Sequence, residues 1–317
     1  MSAIARASPA VLLRHTLLWA SRRRRVQRLI TAAPVARSLV RRFVAGEAID
    51  DAVSVTRALR SQGLTITLDH LGEDIHDAGA ARTAVDVYTA LVRRLDGEGL
   101  TDRAEVSVKL SAVGQALDEQ MAIGNAAEIC AAARAAHTTV TIDMEDHTTT
   151  DATLHAVVAL RASFPETGAV LQASLHRTEA DCTALARSGS RVRLCKGAYQ
   201  EPPSMAFLLR DEVRSSFLRC LRILITGNSY PMVATHDPLL IRAAAELFGA
   251  LSTPGAGHEY QMLYGIRPDE QLRLARGGEM VRVYVPFGDQ WYSYMMRRLA
   301  ERPSNLALVL RALRTRS

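Results

Sequence analysis

The sequence predicts an α/β fold, a closed (β/α)8 barrel of the TIM type, on three observations. Eight short apolar, β-branched runs alternate with stretches that repeat apolar residues at helical spacing, the rhythm of parallel strands with helices packed outside. Eight repeats favour closure over an open sheet, and no GxGxxG follows the first run, which disfavours a dinucleotide-binding doubly wound sheet. The 317 residues, 48% of them apolar, exceed the about 250 that such a barrel needs and leave a remainder for flanking helices.

The leader comes first. Residues 1–60 are expected to form a basic, helical N-terminal segment packed on the barrel, and residues 61–317 the catalytic barrel. Residues 1–46 hold ten Arg and no acidic residue, so the other 29 basic and 33 acidic residues leave the body at −4 while the whole chain is +6. The string PAVLLRHTLLWA (9–20), followed by SRRRRVQRL, admits three readings: a basic amphipathic helix lying on the barrel or on an anionic membrane surface, an organelle transit peptide, or a nucleic-acid patch. The first is favoured. The last rests on charge alone, without aromatic interleaving, and no nucleic-acid partner is expected. A secretory signal would place its charge before the apolar run rather than after it.

The strand candidates are Leu64–Leu71 (LTITLDHL), Val106–Val113 (VSVKLSAV), Thr139–Glu145 (TVTIDME), Ala169–Leu175 (AVLQASL), Val192–Gly197 (VRLCKG), Met232–Asp237 (MVATHD), His258–Leu263 (HEYQML) and Met280–Gly288 (MVRVYVPFG). Between them lie helical stretches such as Ala80–Leu95 and Ser204–Leu221. Cys130, Cys182, Cys195 and Cys220 are widely spaced with no CxxC, which suits free thiols in a reducing compartment and argues against a metal site. No run approaches the roughly 18 apolar residues of a membrane span.

In such a barrel the active site lies at the C-terminal mouth. The runs deliver polar groups there: Asp69 and His70, Lys109, Asp143 with Glu145 and Asp146, Gln172, Arg193 and Lys196, Thr235 with His236 and Asp237, Glu259 and Gln261, Arg282 and Tyr284. A buried polar side chain without partners costs stability, so a ring contributed by every strand points to function. The chain has 37 Arg and only two Lys, Lys109 and Lys196, and both lie within strand runs, where a compact ammonium does what a rigid fork cannot.

After the eighth run comes WYSYMMRRLAER (291–302). Arg297 and Arg298 lie about 100° apart on a helix and can converge on one anion near the edge facing the mouth, a natural carboxylate clamp. Glu301, four after Arg297 and three after Arg298, can orient them. Tyr294 shares that face.

At this point the motifs resemble a known family. VRLCKGAYQEP (192–202), VSVKLSAVG (106–114), TIDMED (141–146), LQASLHR (171–177), VATHD (233–237), EYQMLYG (259–265) and YVPFGDQWYSYMMRRLAERPSN (284–305) are similar, in order, to the monofunctional proline dehydrogenase (proline oxidase) family. The resemblance implies a distorted (β/α)8 barrel preceded by helices. It also implies non-covalent FAD and oxidation of L-proline to Δ1-pyrroline-5-carboxylate by hydride transfer to flavin N5, the first step of proline catabolism. A membrane quinone is then the implied electron acceptor. The implied location is the cytoplasm, with peripheral contact on the inner face of the cytoplasmic membrane left open.

By the same resemblance, Lys109, Arg297 and Arg298 would bind the substrate carboxylate, Glu301 would orient the arginine pair, and Tyr284 would pack against the ring. Leu263 would form an apolar wall, Tyr199 would lie near the pocket, and Asp143 would belong to the polar network around Lys109. Arg193 would donate to flavin N5 and Gln172 to the pyrimidine side. Lys196, Gly197 and Ala198 would hold the ribityl and phosphate region, and Thr235 and His236 would touch the cofactor. Two residues depart from the family pattern: Asp237 stands where Asn is common, and Cys195 where Val is usual.

Two rivals remain at this stage. Lys109 or Lys196 could form a Schiff base, as in barrel lyases, giving a colourless protein inactivated by borohydride plus a carbonyl compound. A non-enzymatic module would bind polyanions and show no redox change.

Overall fold

The computed structural model describes residues 40–73, 75–187, 190–227, 229–251, 256–292 and 294–295. Residues 1–39, the bulk of the expected leader, lie outside them, as do Arg297, Arg298 and Glu301.

Eight parallel strands close into a barrel in sequence order: β1 Thr65–His70, β2 Ala104–Val108, β3 Val140–Ile142, β4 Gly168–Gln172, β5 Arg191–Cys195, β6 Tyr230–Ala234, β7 Glu259–Leu263 and β8 Val281–Phe287. Closure is made by β1 on β8, in register from Thr65 opposite Arg282 to His70 opposite Phe287. Helix α1, Ile49–Arg60, precedes β1. Helices α2 (Ala78–Gly97), α3 (Glu119–Ala135), α4 (Thr150–Arg161), α5 (Thr178–Arg187), α6 (Arg210–Thr226), α7 (Pro238–Leu251) and α8 (Pro268–Arg276) connect the strands.

All eight expected runs contain a strand, but seven of the strands stop short of the expected end. The largest correction is in VSVKLSAV: β2 stops at Val108, and Leu110–Val113 form a 3-10 turn that ends on Gly114 at φ +104°. Here Ser111 turns its backbone N–H and hydroxyl onto the Glu145 carboxylate (3.2 and 2.6 Å), which a continued strand would prevent. Lys109, Asp143, Lys196, Thr235 and His236 therefore sit just beyond strand ends, in the loops that build the mouth.

Each strand alternates. Ile66, Leu68, Val106, Val108, Val192, Leu194, Val281, Val283 and Val285 are buried in the one large apolar core beneath the helices, where a fully buried aliphatic side chain contributes about 1.5–3 kcal/mol. The alternate residues face the barrel axis. That interior, usually packed with branched aliphatics, is here ionic. Glu105 accepts from Thr67 (2.8 Å), Thr139 (2.9 Å) and Arg191 (2.9 Å), with Arg193 at 3.5 Å and Arg282 at 3.8 Å. Glu259 takes two bonds from Arg282, at 2.7 and 3.1 Å. Charge balances: Arg191, Arg193, Arg282 and Lys109 face Glu105, Glu259, Asp143 and Asp69, four against four. An unbalanced set at this depth would cost several kcal/mol per ion.

The last part of the leader is bound to the barrel. Ala45 N–H donates to the Pro286 carbonyl and Gly288 N–H to the Gly46 carbonyl (both 2.9 Å). Trp291 Nε1 donates to Glu47 (3.2 Å). Asp51 accepts the Glu47 and Ala48 N–H groups (both 3.1 Å) and so caps the start of α1, which packs across β1 and β8. No described helix is long and apolar enough to cross a membrane.

Candidate active site

A cavity of about 1060 Å³ opens at the C-terminal mouth. Of the expected site residues, Lys109, Asp143, Tyr199, Leu263 and Tyr284 line it, as do Gln172, Arg193, Lys196, Gly197, Ala198, Thr235 and His236. Tyr294, from the start of the closing helix, reaches it too. The structure thus gathers on one cavity every described residue that was given a site role. Glu259 and Arg282, also expected at the mouth, instead lie at the starts of β7 and β8, towards the opposite end of the barrel, where Arg282 pairs with Glu259 and Glu105.

The floor is a chain of charged groups. Lys109 Nζ donates to Asp69 Oδ2 at 2.7 Å and lies 3.9 Å from Asp143 Oδ2. Asp143 Oδ1 accepts from Arg193 Nη1 at 2.6 Å, and Oδ2 accepts from the Tyr284 hydroxyl at 2.7 Å. Arg193 spans the barrel: Nε donates to Gln261 (2.5 Å), Nη1 also to Ser107 (2.9 Å), and its guanidinium lies 5.2 Å from the Tyr284 ring centre. Alternation explains the convergence, because Ser107 and Lys109, Arg193, Gln261 and Tyr284 all occupy inward positions of their strands or the residue just past them.

Burial disfavours the Lys109 ammonium, but Asp69 and Asp143 outweigh it and hold its pKa well above the ordinary lysine value. That is the reverse of what a Schiff-base lysine needs. Burial and Asp143 push the Tyr284 phenol well up, so it stays a donor. Burial raises Asp69 above the usual carboxylate range, with Lys109 opposing.

The rim is built by the loops after β4, β5 and β6. Gln172 Nε2 donates to the Glu145 carbonyl (2.7 Å). His236 Nε2 accepts the Leu263 N–H (2.9 Å), and its carbonyl accepts from Arg267 (2.7 Å). The Tyr199 loop is clasped by Glu201, which accepts from His147 N–H (3.1 Å) and meets His147 Nδ1. Gly197 has φ +99°, and a Cβ there would stand 2.2 Å from Ser174 Oγ and 3.3 Å from Gln172 Oε1. Gly197→Ala is therefore expected to cost about 1–3 kcal/mol in urea unfolding. A loss under about 0.5 kcal/mol would show that the loop relaxes freely.

The donor set suits a flavin dinucleotide. Basic Lys196, Arg210 and Arg214 occupy the cavity wall where β5 and β6 end, apolar Leu263 and aromatic Tyr284 another, with Arg193 in the floor. Among the described residues four carboxylates line the cavity and all are engaged: Asp69 and Asp143 as above, Glu201 with His147, and Asp237 with Lys196 and Arg214. Among the described residues no group of three His, Cys, Asp or Glu could hold a metal.

Sequence reasoning placed Asp69 at its strand end without a role, and it missed Arg214 and Glu105. Glu105, Ser107 and Lys109 share one face by alternation, which could have revealed Glu105. Nothing local marks Arg214, on α6.

A family model described as proline dehydrogenase matches residues 52–310. The chain is 35% identical over 302 residues to proline dehydrogenase 1 of Bacillus subtilis (strain 168), covering 95% of this chain and 99% of that one. It is 37% identical over 281 residues to the proline dehydrogenase of Deinococcus radiodurans, covering 87% and 90%. Among solved structures, proline utilization A from Bdellovibrio bacteriovorus inactivated by N-propargylglycine superposes with a TM-score of 0.80 at 21% identity, over 92% of this chain and 36% of its own, a likeness of fold.

Proposed function

The chain belongs to the proline dehydrogenase family, and from that premise we propose that it oxidises L-proline to Δ1-pyrroline-5-carboxylate with FAD. The observation that carries this reading is the pairing of Lys109 and Arg193 through Asp143 on one cavity floor: two permanently charged cations at fixed spacing, one for an anionic substrate group and one for the redox partner.

When bound, FAD supplies the two-electron hydride acceptor. Lys109, with Arg297 and Arg298, binds the proline carboxylate, and Glu301 orients the two arginines. Tyr284 and Leu263 pack on the ring, with Tyr199 bounding the pocket. This clamp on the distant carboxylate turns the ring flat and presents its Cδ–H, a gain of orientation rather than of acid–base chemistry. Arg193 is already fixed by Ser107, Asp143 and Gln261, so its positive field favours added electron density without reorganisation. Gln172 would hold the pyrimidine side, Lys196, Gly197 and Ala198 the ribityl and phosphate part, and Thr235 and His236 would also touch the cofactor. The four lining carboxylates among the described residues are engaged, and the substrate amine sheds its proton to solvent before closure, so that the free amine is the form that reacts.

A membrane quinone would serve as the electron acceptor. The basic leader, ahead of the barrel at residues 1–60, gives peripheral contact with an anionic membrane face, and the enzyme otherwise resides in the cytoplasm.

Purified protein is expected to be yellow, absorbing in the blue, and to bleach on anaerobic addition of L-proline. A protein that stays colourless after incubation with FAD, or a yellow one that proline does not bleach, would overturn the reading.

A further inference from the structure

Apolar exposure is concentrated at one end of this barrel. Eight large apolar side chains are exposed among the described residues. Two lie elsewhere, Val158 on α4 and Met280 just ahead of β8. The other six, Leu117, Met121, Met205, Leu208, Leu209 and Leu239, fall in loops or first helical turns that follow strand ends, on the mouth face. A lone exposed leucine needs no explanation. A group of them on one face marks a contact surface.

Four of the six form a lip. Met205, Leu208 and Leu209 end the loop from β5 to α6, and Leu239 opens α7 after β6, the neighbouring strand. Arg214 of α6 and the Leu239 N–H both bond Asp237 (2.8 and 3.1 Å), which brings the starts of the two helices together. Leu208 lines the cavity and is still 63% exposed, so the lip is the cavity's own edge. Leu209, 64% exposed, occupies the N-cap of α6, where Ser, Thr, Asp or Asn is preferred. Neither capping nor burial accounts for a leucine there.

The described end of the basic leader joins the barrel on this same face. Ala45 N–H bonds the Pro286 carbonyl at the end of β8, and the Arg42 carbonyl lies against Gly265, just past β7. Strands β5 to β8 are neighbours in order, so the lip and the leader attachment share one side of the rim. Residues 1–46 carry ten Arg and no acid, and of these Arg41 and Arg42 are described and exposed. Arg210, also exposed, stands on the lip itself. The acids beside it are engaged, Asp211 with Arg214 (2.8 Å) and Glu212 with the Leu209 N–H (3.2 Å).

We propose that the lip of Met205, Leu208, Leu209 and Leu239 seats the barrel mouth on an anionic lipid bilayer, with the cavity opening at the lipid surface. This deepens the peripheral membrane reading above and rests on it. The leucines enter the boundary between headgroups and acyl chains, and the arginines meet the anionic headgroups. Either signal alone gives marginal, reversible binding, and the two on one face give stable docking. An acceptor dissolved in the bilayer then reaches the cavity without crossing water.

The test is flotation of the full chain with vesicles of phosphatidylcholine, with and without phosphatidylglycerol. The variant is Leu209→Ser combined with Leu239→Ser. Neither leucine lines the cavity, and serine is the better N-cap, so folding and anaerobic bleaching by L-proline should match wild type. Wild type is expected to float with the anionic vesicles. The double variant should bind them at least about tenfold more weakly, with the remainder lost as salt rises. Val158→Ser, equally exposed but on α4, should float like wild type. If wild type and the double variant float equally, or Val158→Ser loses as much, the lip is wrong while the leader contact stands. If wild type does not float, both fall. Gel filtration in which wild type is a dimer and the double variant a monomer, without flotation of either, would give the lip to a second copy and overturn the proposal. If flotation follows the expected order and proline bleaches none of the proteins, the lip stands and the proline reading falls.

Discussion

Lys109→Met is expected to lower kcat/KM for L-proline by about a hundred- to a thousandfold, about 3–4 kcal/mol and within the range for truncating one partner of a buried, hydrogen-bonded charge pair. Lys109 is 8% exposed and is bonded to Asp69, itself 1% exposed. Removing the ammonium takes away the anchor proposed for the substrate carboxylate and leaves Asp69 and Asp143 facing the same anion. Stability should also fall, by about 3–5 kcal/mol if Asp69 stays charged and by less if it takes a proton, which burial already favours. The double variant Lys109→Met with Asp69→Asn separates the two effects. Neutralising Asp69 should return most of the lost melting temperature and little of the lost turnover, a coupling expected of groups in contact. A Lys109→Met enzyme with kcat/KM within tenfold of wild type would remove Lys109 from the substrate site.

Glu105→Gln is expected to have the largest effect on stability, a loss of about 3–5 kcal/mol. Glu105 is 2% exposed and stands among Arg191, Arg193 and Arg282. An amide in its place leaves three guanidinium groups against one fewer anion, far from water. Burial alone would raise the Glu105 pKa, but the three arginines overcome it and hold the carboxyl well below the usual range. A folded-state pKa below the unfolded one means that the unfolded chain binds the proton first. The Glu105 contribution is therefore complete above the unfolded value of about 4.3 and is lost as pH falls through the folded value. Melting temperatures of wild type and variant should differ most at neutral pH and converge in acid. A gap that is constant from pH 7 to pH 3, or no gap, would show that the barrel interior does not depend on this carboxylate.

The existence of the eight strands was legible because alternation leaves apolar residues such as Ile66, Leu68, Val106 and Val108 at every second position. Their ends were less so. Lys109, Lys196 and Thr235 continue the β-like composition of their strands, yet ladder pairing has already stopped, and side chains such as Glu145 hold the following residues in turns. The polar ring was legible for the same reason as the strands: Asp69, Lys109, Arg193 and Tyr284 interrupt apolar runs at inward positions. Its partners were not. Arg193 bonds Ser107, Asp143 and Gln261, which are 86, 50 and 68 residues away, and no local pattern encodes which inward residues meet once the barrel closes.

The sequence by itself determined the architecture, the family resemblance and most of the residues that face the mouth, because alternation and motif order are properties of the chain alone; alternation gives the inward face but not the height along the barrel, which is why Glu259 and Arg282 lie at the other end. Only the tertiary structure decided the charge states and the pairings: that Lys109 stays an ammonium between Asp69 and Asp143, that Glu105 is the anion under three arginines, and that Asp237 pairs with both Lys196 and Arg214. The reason is physical. A side chain's direction follows from its position in a strand, but its pKa and its partners follow from burial and from charges a few ångströms away, brought there by barrel closure from distant parts of the chain.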